Sequence, residues 1–256
     1  MKLIASIILI ASCAYAEIGN VYDLTQPVTY ENAGGNNWIL RYTSSGAPAL
    51  PQFTSTVAWW KMDSATDTND YSAIGTNNLI AYGGATVPTY AGTNEGFYFD
   101  GGDYFGCNKI LFSPITNMSI SCWFKMSNFV ADAGIVWHRG AVLNKTFGLA
   151  LGNTSGKAFA YVKRAGLFQS QANNTGDWVN VFINCSNNTN MTMYINGVSN
   201  ASAIIGSGSI TNDQTFYIGQ DSGVASRKFK GNIKNVVVWI NALSPNEVLQ
   251  VYNLGR

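Results

Sequence analysis

The chain has 256 residues and a formal net charge of +1, and Asp, Glu, Lys and Arg make up only 11% of it, against about a quarter in ordinary soluble domains. That balance excludes the basic field of a nucleic-acid-binding protein and the acidic tail of a solvating one. Gly, Asn, Ser and Thr fill the polar positions, which favours turns and strand edges over long helices, and the length suits one all-β domain that can bury a core without metals or many disulfides.

Lys2 is the sole charge among the first sixteen residues. Residues 3–11 form an apolar run too short to span a bilayer, and Ala14-Tyr15-Ala16 places small residues where a signal peptidase reads them. Residues 1–16 are therefore expected to be a signal peptide cleaved before Glu17, giving a secreted chain. Ile10-Ala11-Ser12-Cys13 also resembles a bacterial lipoprotein box, so the alternative is a lipid anchor on Cys13. Residues 17–56 read as an N-terminal arm or linker, because Pro27, Gly34-Gly35, Ser44-Ser45-Gly46, Pro48 and Pro51 interrupt any regular element. Trp38-Ile39-Leu40 could add one edge strand. No later run approaches transmembrane length.

From residue 57 the pattern changes to short alternations between turn residues, consistent with one domain over residues 57–256. Met118, Ile120, Cys122 and Phe124 alternate with Ser119, Ser121, Trp123 and Lys125, and period two predicts one buried face. Phe147, Leu149 and Leu151 mark another strand, residues 158–163 a further one, and Val179, Val181, Ile183 and Cys185 repeat the pattern. Met191, Met193 and Ile195 run into Asn196-Gly197, a strong hairpin signal because both residues tolerate positive φ. Residues 233–240 are a nearly continuous apolar strand. Ser244-Pro245-Asn246-Glu247 reads as a capping box with proline at the first helical position. Val248, Leu249, Val251 and Tyr252 then give the apolar stripe of a short helix that ends at Gly255 and packs on the sandwich edge. The expected fold is all-β, an antiparallel two-sheet sandwich with one short C-terminal helix. Cys122 and Cys185 share the phase of their buried neighbours, so both thiols point into the core. A bridge is open to them if their strands are adjacent, with two buried thiols as the alternative. Cys107, between Gly106 and Asn108 in a turn-rich stretch, is a structural cysteine or a link between chains.

The order of these pieces resembles the laminin-G-like and pentraxin-like members of the concanavalin A-like lectin/glucanase superfamily, whose fold is a jelly roll. Ala58-Trp59-Trp60-Lys61-Met62-Asp63 and Asp70-Tyr71-Ser72 are similar to the first strand and loop of those domains. Phe97-Tyr98-Phe99-Asp100-Gly101-Gly102-Asp103 is similar to their aromatic-Asp-Gly strand, and residues 118–125 to the strand that follows. Asp177-Trp178-Val179, Met193-Tyr194-Ile195-Asn196-Gly197, Ile218-Gly219-Gln220-Asp221, Phe229-Lys230-Gly231 and Leu243-Ser244-Pro245 complete the series. Pentraxins join the counterparts of the Cys122 and Cys185 strands by a disulfide, so the resemblance implies a Cys122–Cys185 bridge. It also implies calcium at Gln220-Asp221. The second pentraxin ligand group falls near His138-Arg139, which cannot supply the oxygens that a hard cation needs. A single calcium elsewhere on the rim would draw instead on Asp63, Asp67, Asp70 or Asp103, with turn capping as the competing role of Asp63, Asp70 and Asp103.

The superfamily includes glucanases, which need two carboxylates across a cleft, about 5 Å apart for retention of configuration. Glu17, Glu31, Glu95 and Glu247 are the only glutamates, and none sits in a Glu-x-Asp-x-Glu or Glu-x-Asp-x-x-Glu pattern. His138 is the single histidine and has no Gly-x-Ser-x-Gly elbow to serve. It reads as a surface or edge residue. The aromatics Trp59, Trp60, Trp137 and Tyr161 are candidates for stacking on sugar rings, with core packing as the alternative role. Sequons stand at Asn117, Asn144, Asn153, Asn173, Asn184, Asn187, Asn190 and Asn200. The sequence therefore points to a secreted, non-catalytic recognition module for a glycan or an extracellular protein. A structural or adhesive protein of a cell surface or virion is the alternative, followed by a divergent glycoside hydrolase.

Overall fold

The computed structural model describes residues 28–32, 38–42 and 50–255, apart from loop positions 84–87, 93, 108–113, 139, 141–145, 153–155, 163–164, 170–172, 174, 188, 206–208, 211–213, 222–223 and 225. The expected signal peptide, Cys13, Asn144 and Asn153 lie outside the described residues. The chain divides into two compact units, Met1–Pro48 and Ala49–Arg256. In the first, strand β1 (Val28–Asn32) pairs antiparallel with β2 (Trp38–Tyr42). The strand expected at Trp38-Ile39-Leu40 is present, but its partner is β1 in a two-stranded sheet.

The second unit is a sandwich of two antiparallel sheets, its strands numbered in chain order. One runs β12 (Ala165–Phe168), β11 (Ala158–Val162), β10 (Phe147–Leu151), β9 (Gly134–His138), β16 (Phe216–Ile218), β7 (Tyr104–Cys107) and β4 (Ile80–Tyr82). The other runs β15 (Val198–Ile204), β14 (Asn190–Ile195), β13 (Trp178–Ser186), β8 (Met118–Met126), β17 (Lys230–Trp239), β6 (Gly96–Asp100) and β5 (Thr89–Gly92), with β3 (Thr56–Trp60) on the second half of β17. Between them lies the core, where Trp60, Phe99, Phe105, Phe124, Phe147, Phe216 and Phe229 are fully buried. The Asn196-Gly197 turn has φ of 50° and 77° at its two residues, as a tight hairpin requires.

The alternation in β8 predicts one buried face, and the structure buries both. Ser119, Ser121 and Trp123 are as inaccessible as Cys122 and Phe124. The cause is a second apolar cluster on the outer face of this sheet, formed by Leu50, Phe182, Tyr194, Val237, Trp239, Leu243, Val248 and Val251. Helix α1 (Pro245–Leu254) carries the expected capping box and proline, and it lies on this face instead of the sandwich edge. Leu249 is consequently exposed, while Tyr252 stacks on Trp123 with ring centroids 5.3 Å apart. The boundary expected at residue 57 moves upstream for the same reason. Leu50 is buried here, the Pro51 carbonyl accepts from Trp239 Nε1 at 3.0 Å, and Gln52 donates to Glu247 at 2.9 Å. Strand β17 serves both clusters through a bulge between Lys234 and Val237, where Asn235 has φ of 49°. The extra residue turns Ile233, Val236 and Val238 inward and Val237 and Trp239 outward.

The cysteine expectation is corrected by the register. Strands β8 and β13 are neighbours and both thiols face the core, but Cys122 lies opposite Val181 and Cys185 opposite Met118. Four residues along a strand is about 13 Å, well beyond the ~7 Å Cα limit for a bridge. Cys122 and Cys185 are buried thiols, not a disulfide. Cys107 sits in β7 opposite Phe216, fully buried, so it is not placed to link two chains. Burial pushes the Cys122 thiol far above its ordinary pKa.

Candidate functional site

Among the described residues, α1 covers the outer face of the eight-stranded sheet and no helix covers the outer face of the seven-stranded one. Across the seven-stranded sheet, perpendicular to its strands, the register aligns Ile80, Gly106, Tyr217, Trp137, Gly148, Tyr161 and Gly166 in one row. Aromatic residues and glycines share that row. A Cβ on Gly148 would fall 2.6 Å from the Trp137 ring, one on Gly166 2.7 Å from Phe159, and one on Gly106 2.9 Å from Tyr82. Each ring therefore lies over the gap its glycine leaves.

Around β10 the row deepens into a cleft of about 220 Å³, lined by Trp137, Thr146, Ala150, Leu151, Phe159 and Tyr161. This is below the ~300–1,000 Å³ of a drug-sized pocket and suits one small ring at a time. The Trp137 and Tyr161 rings stand 6.0 Å apart, with Phe159 a further 6.0 Å from Tyr161. Asp132, Asp221 and Arg227 also line the cleft. Arg227 Nη1 reaches Asp221 at 3.1 Å and Nη2 reaches Asp132 at 3.2 Å. Trp137 Nε1 and Thr146 Oγ1 are buried in the lining without a hydrogen-bond partner among the described residues. Such groups cost about 1–3 kcal/mol each, which a ligand offering hydroxyl groups would recover. Beyond Trp137 the row continues into a tyrosine stack. Tyr217 and Tyr104 are 5.5 Å apart, and Tyr104 and Tyr82 are 5.1 Å apart and nearly parallel. Burial, then the neighbouring Tyr217 and Tyr82, raises the Tyr104 pKa, so its phenol stays neutral.

The structure brings together Trp137, Tyr161 and Asp221 from the sequence candidates and separates the rest. Trp60 is fully buried in the core, with Nε1 donating to the Asn77 carbonyl at 2.8 Å. Trp59 belongs to the other sheet, where Nε1 donates to Asn235 and the Lys61 ammonium lies 5.0 Å from its ring. His138 is fully buried, not at a surface or edge. Its ring stacks on Phe147 at 4.6 Å and Nε2 accepts from the Gln214 amide.

The aspartates are not assembled into one site. Asp70 accepts backbone N–H groups from Trp59, Ser72 and Asn77. Asp103 accepts from the Asp100 amide, and burial raises its pKa. Asp63 is exposed, and its amide donates to Asp67. Slight burial, then the hydrogen bond and charge of Asp67, raises the Asp63 pKa. Asp221 faces the Arg227 guanidinium. Among the described residues no three His, Cys, Asp or Glu side chains cluster as metal ligands. Of the sequons, Asn187 and Asn190 are exposed, whereas the Asn184 amide is held by Leu243 and Ser119.

The family model for the concanavalin A-like lectin/glucanases superfamily matches residues 99–249, more than half the sequence. The chain belongs to this superfamily. As a concanavalin A-like domain it is similar in fold to domain 4 of AbnA, a GH43 extracellular arabinanase from Geobacillus stearothermophilus solved with arabinotriose. That match has a TM-score of 0.63 and 20% identity, over 77% of this chain and 98% of that one. It is similar also to the receptor binding domain of botulinum neurotoxin D, with a TM-score of 0.59 and 23% identity, over 77% of this chain and 52% of that one. The serotype D ligand binding domain in complex with N-acetylneuraminic acid matches at a TM-score of 0.58 and 21% identity, over 77% and 50%. The concanavalin A-like domain thus spans about half of the toxin chains. No curated relative matches its sequence. Sequence reasoning missed Tyr82, Tyr104, Phe159, Tyr217, Asp132 and Arg227 as members of the site. Tyr104 next to Phe105 and Tyr217 between Phe216 and Ile218 carried an outward-phase signal, whereas Asp132 and Arg227 lie in loops outside any period.

Proposed function

We propose that this is a secreted, non-catalytic module that binds carbohydrate in the Trp137–Tyr161 cleft. One observation carries the reading: an aromatic-walled cleft of sugar-ring size in which Trp137 Nε1 and Thr146 Oγ1 are buried without partners among the described residues. Flat rings accept the C–H face of a sugar, and the polar atoms accept and donate to its hydroxyls. The fold agrees with this use, since structures of the same fold were solved with arabinotriose and with N-acetylneuraminic acid. The non-catalytic part is supported by the acids of the cleft. Asp132 and Asp221 both face the Arg227 guanidinium, whereas a glycosidase needs one carboxyl free to donate a proton. Glu95 pairs with Lys125 and Glu247 caps α1. Secretion is supported by the signal-like residues 1–16.

The test is a glycan array with the mature chain and its Tyr161→Ala variant. Losing one stacked ring of roughly 1.4 kcal/mol weakens binding about tenfold. An array without hits, or a variant that binds as well as the parent, overturns the carbohydrate reading. Release of reducing sugar from a bound polysaccharide overturns the non-catalytic one.

A further inference from the structure

We propose that the Tyr82–Tyr104–Tyr217 stack is a second sugar subsite, so that the outer face of the seven-stranded sheet is a continuous track for a neutral oligosaccharide chain. The inference rests on the carbohydrate reading of the cleft and extends it. Tyr217 lies directly opposite Trp137 in the register, so the stack begins where the cleft wall ends. From β4 to β11 the aromatic row crosses five interstrand spacings, roughly 24 Å at about 4.8 Å each. That is several times the width of one sugar ring. The three tyrosines are half-buried, with Tyr82 and Tyr104 stacked nearly parallel and Tyr217 tilted against Tyr104. Gly106 leaves the depression on which Tyr82 lies. A phenol combines an apolar face with a hydroxyl at its rim, which matches the alternating C–H and O–H groups of a sugar better than it matches an aliphatic protein surface.

Charge selects the chain type. Among the described residues of the cleft lining, Asp132 and Asp221 share the one Arg227 guanidinium, which leaves a surplus negative charge in that set. Beside the stack, Lys228 lies 5.4 Å from the Tyr104 ring and donates to the Gly102 carbonyl at 2.6 Å. A neutral chain therefore fits the track better than a uronate or sialylated one.

Calorimetry with di- and hexasaccharides of α-1,5-linked arabinose and of β-1,4-linked glucose tests the track. The full mature chain is expected to bind the hexasaccharide of at least one series about tenfold tighter than its disaccharide, since a second stacking subsite of ~1.4 kcal/mol corresponds to that factor. Tyr104→Ala is expected to abolish this length gain, and Tyr104→Phe, which keeps the ring, to retain it. Gly106→Ala moves only side chains, chiefly the Tyr82 ring, and is expected to reduce the gain. A parent that binds the hexasaccharide no tighter than the disaccharide overturns the second subsite and leaves the cleft standing, as does a Tyr104→Ala variant with the full gain. No binding to either series overturns the carbohydrate reading and the track together. Tighter binding of an oligogalacturonate than of either neutral chain overturns the neutral assignment.

Discussion

Replacing Asp70 by alanine separates two roles that the sequence leaves open for this residue, turn organiser and cation ligand. In the structure Asp70 Oδ1 accepts from the amides of Trp59 at 3.0 Å and Ser72 at 2.9 Å, and Oδ2 from Asn77 at 3.0 Å. The Asn78 side chain in turn accepts from the Asp70 amide, and Asn77 Nδ2 donates to the Val57 carbonyl. The carboxylate thereby ties the loop after β3 back onto that strand. A hydrogen bond to a charged acceptor contributes about 1.5–3 kcal/mol. Three give roughly 4–9 kcal/mol before the loop relaxes toward water. A loss of about 4 kcal/mol is the expected outcome for Asp70→Ala, and at ~2–4 °C per kcal/mol for a domain of this size the Tm falls by about 10 °C. Urea unfolding followed by tryptophan fluorescence reads the loss. A cost under ~1 kcal/mol, less than a single such bond, would refute the turn role. So would a parent whose urea midpoint rises with calcium while that of the variant does not, because Asp70 would then be holding a cation.

The register of β8 and β13 predicts that Cys107, Cys122 and Cys185 all titrate as thiols in denaturant without reductant, and that a reductant leaves the Tm unchanged; a thiol count lower by two shows that a bridge has formed. At α1, Ser244→Ala is expected to cost about 1 kcal/mol by removing the N-cap, measured by urea unfolding. Glu247 supplies the pH dependence. Burial alone would raise its pKa, but the bonds from the Ser244 amide, Gln52 and the Ser244 hydroxyl outweigh it and hold the value below normal. Its contribution is thus fully present above the unfolded glutamate pKa of about 4.3 and is lost as pH falls through the lower folded value. The stability gap between the parent and Glu247→Gln is expected to be present at neutral pH and to close in acid, and a gap independent of pH refutes the assignment.

The fold was legible in the sequence because its signals are local. Period-two alternation marked β8 and β13, Asn196-Gly197 marked the turn between β14 and β15, and Ser244 to Glu247 marked the start of α1, each from residues a few positions apart. The site was only half legible. Trp137 and Tyr161 stood out as aromatics, yet nothing in their spacing said that β9 and β11 flank β10, or that Gly148 between them leaves the Trp137 ring its place. Strand order also decided that Trp59 belongs to the other sheet and that Cys122 and Cys185, in phase but four residues out of register, cannot meet. The burial of Ser119, Ser121 and Trp123 followed from Leu50 and Val251, about two hundred residues apart in the chain, closing over one face. Phase along a strand is a property of the strand itself and can be read from it. Which face stays open, and which rings share it, depends on non-local pairing and was decided only when the two sheets and the helix packed together.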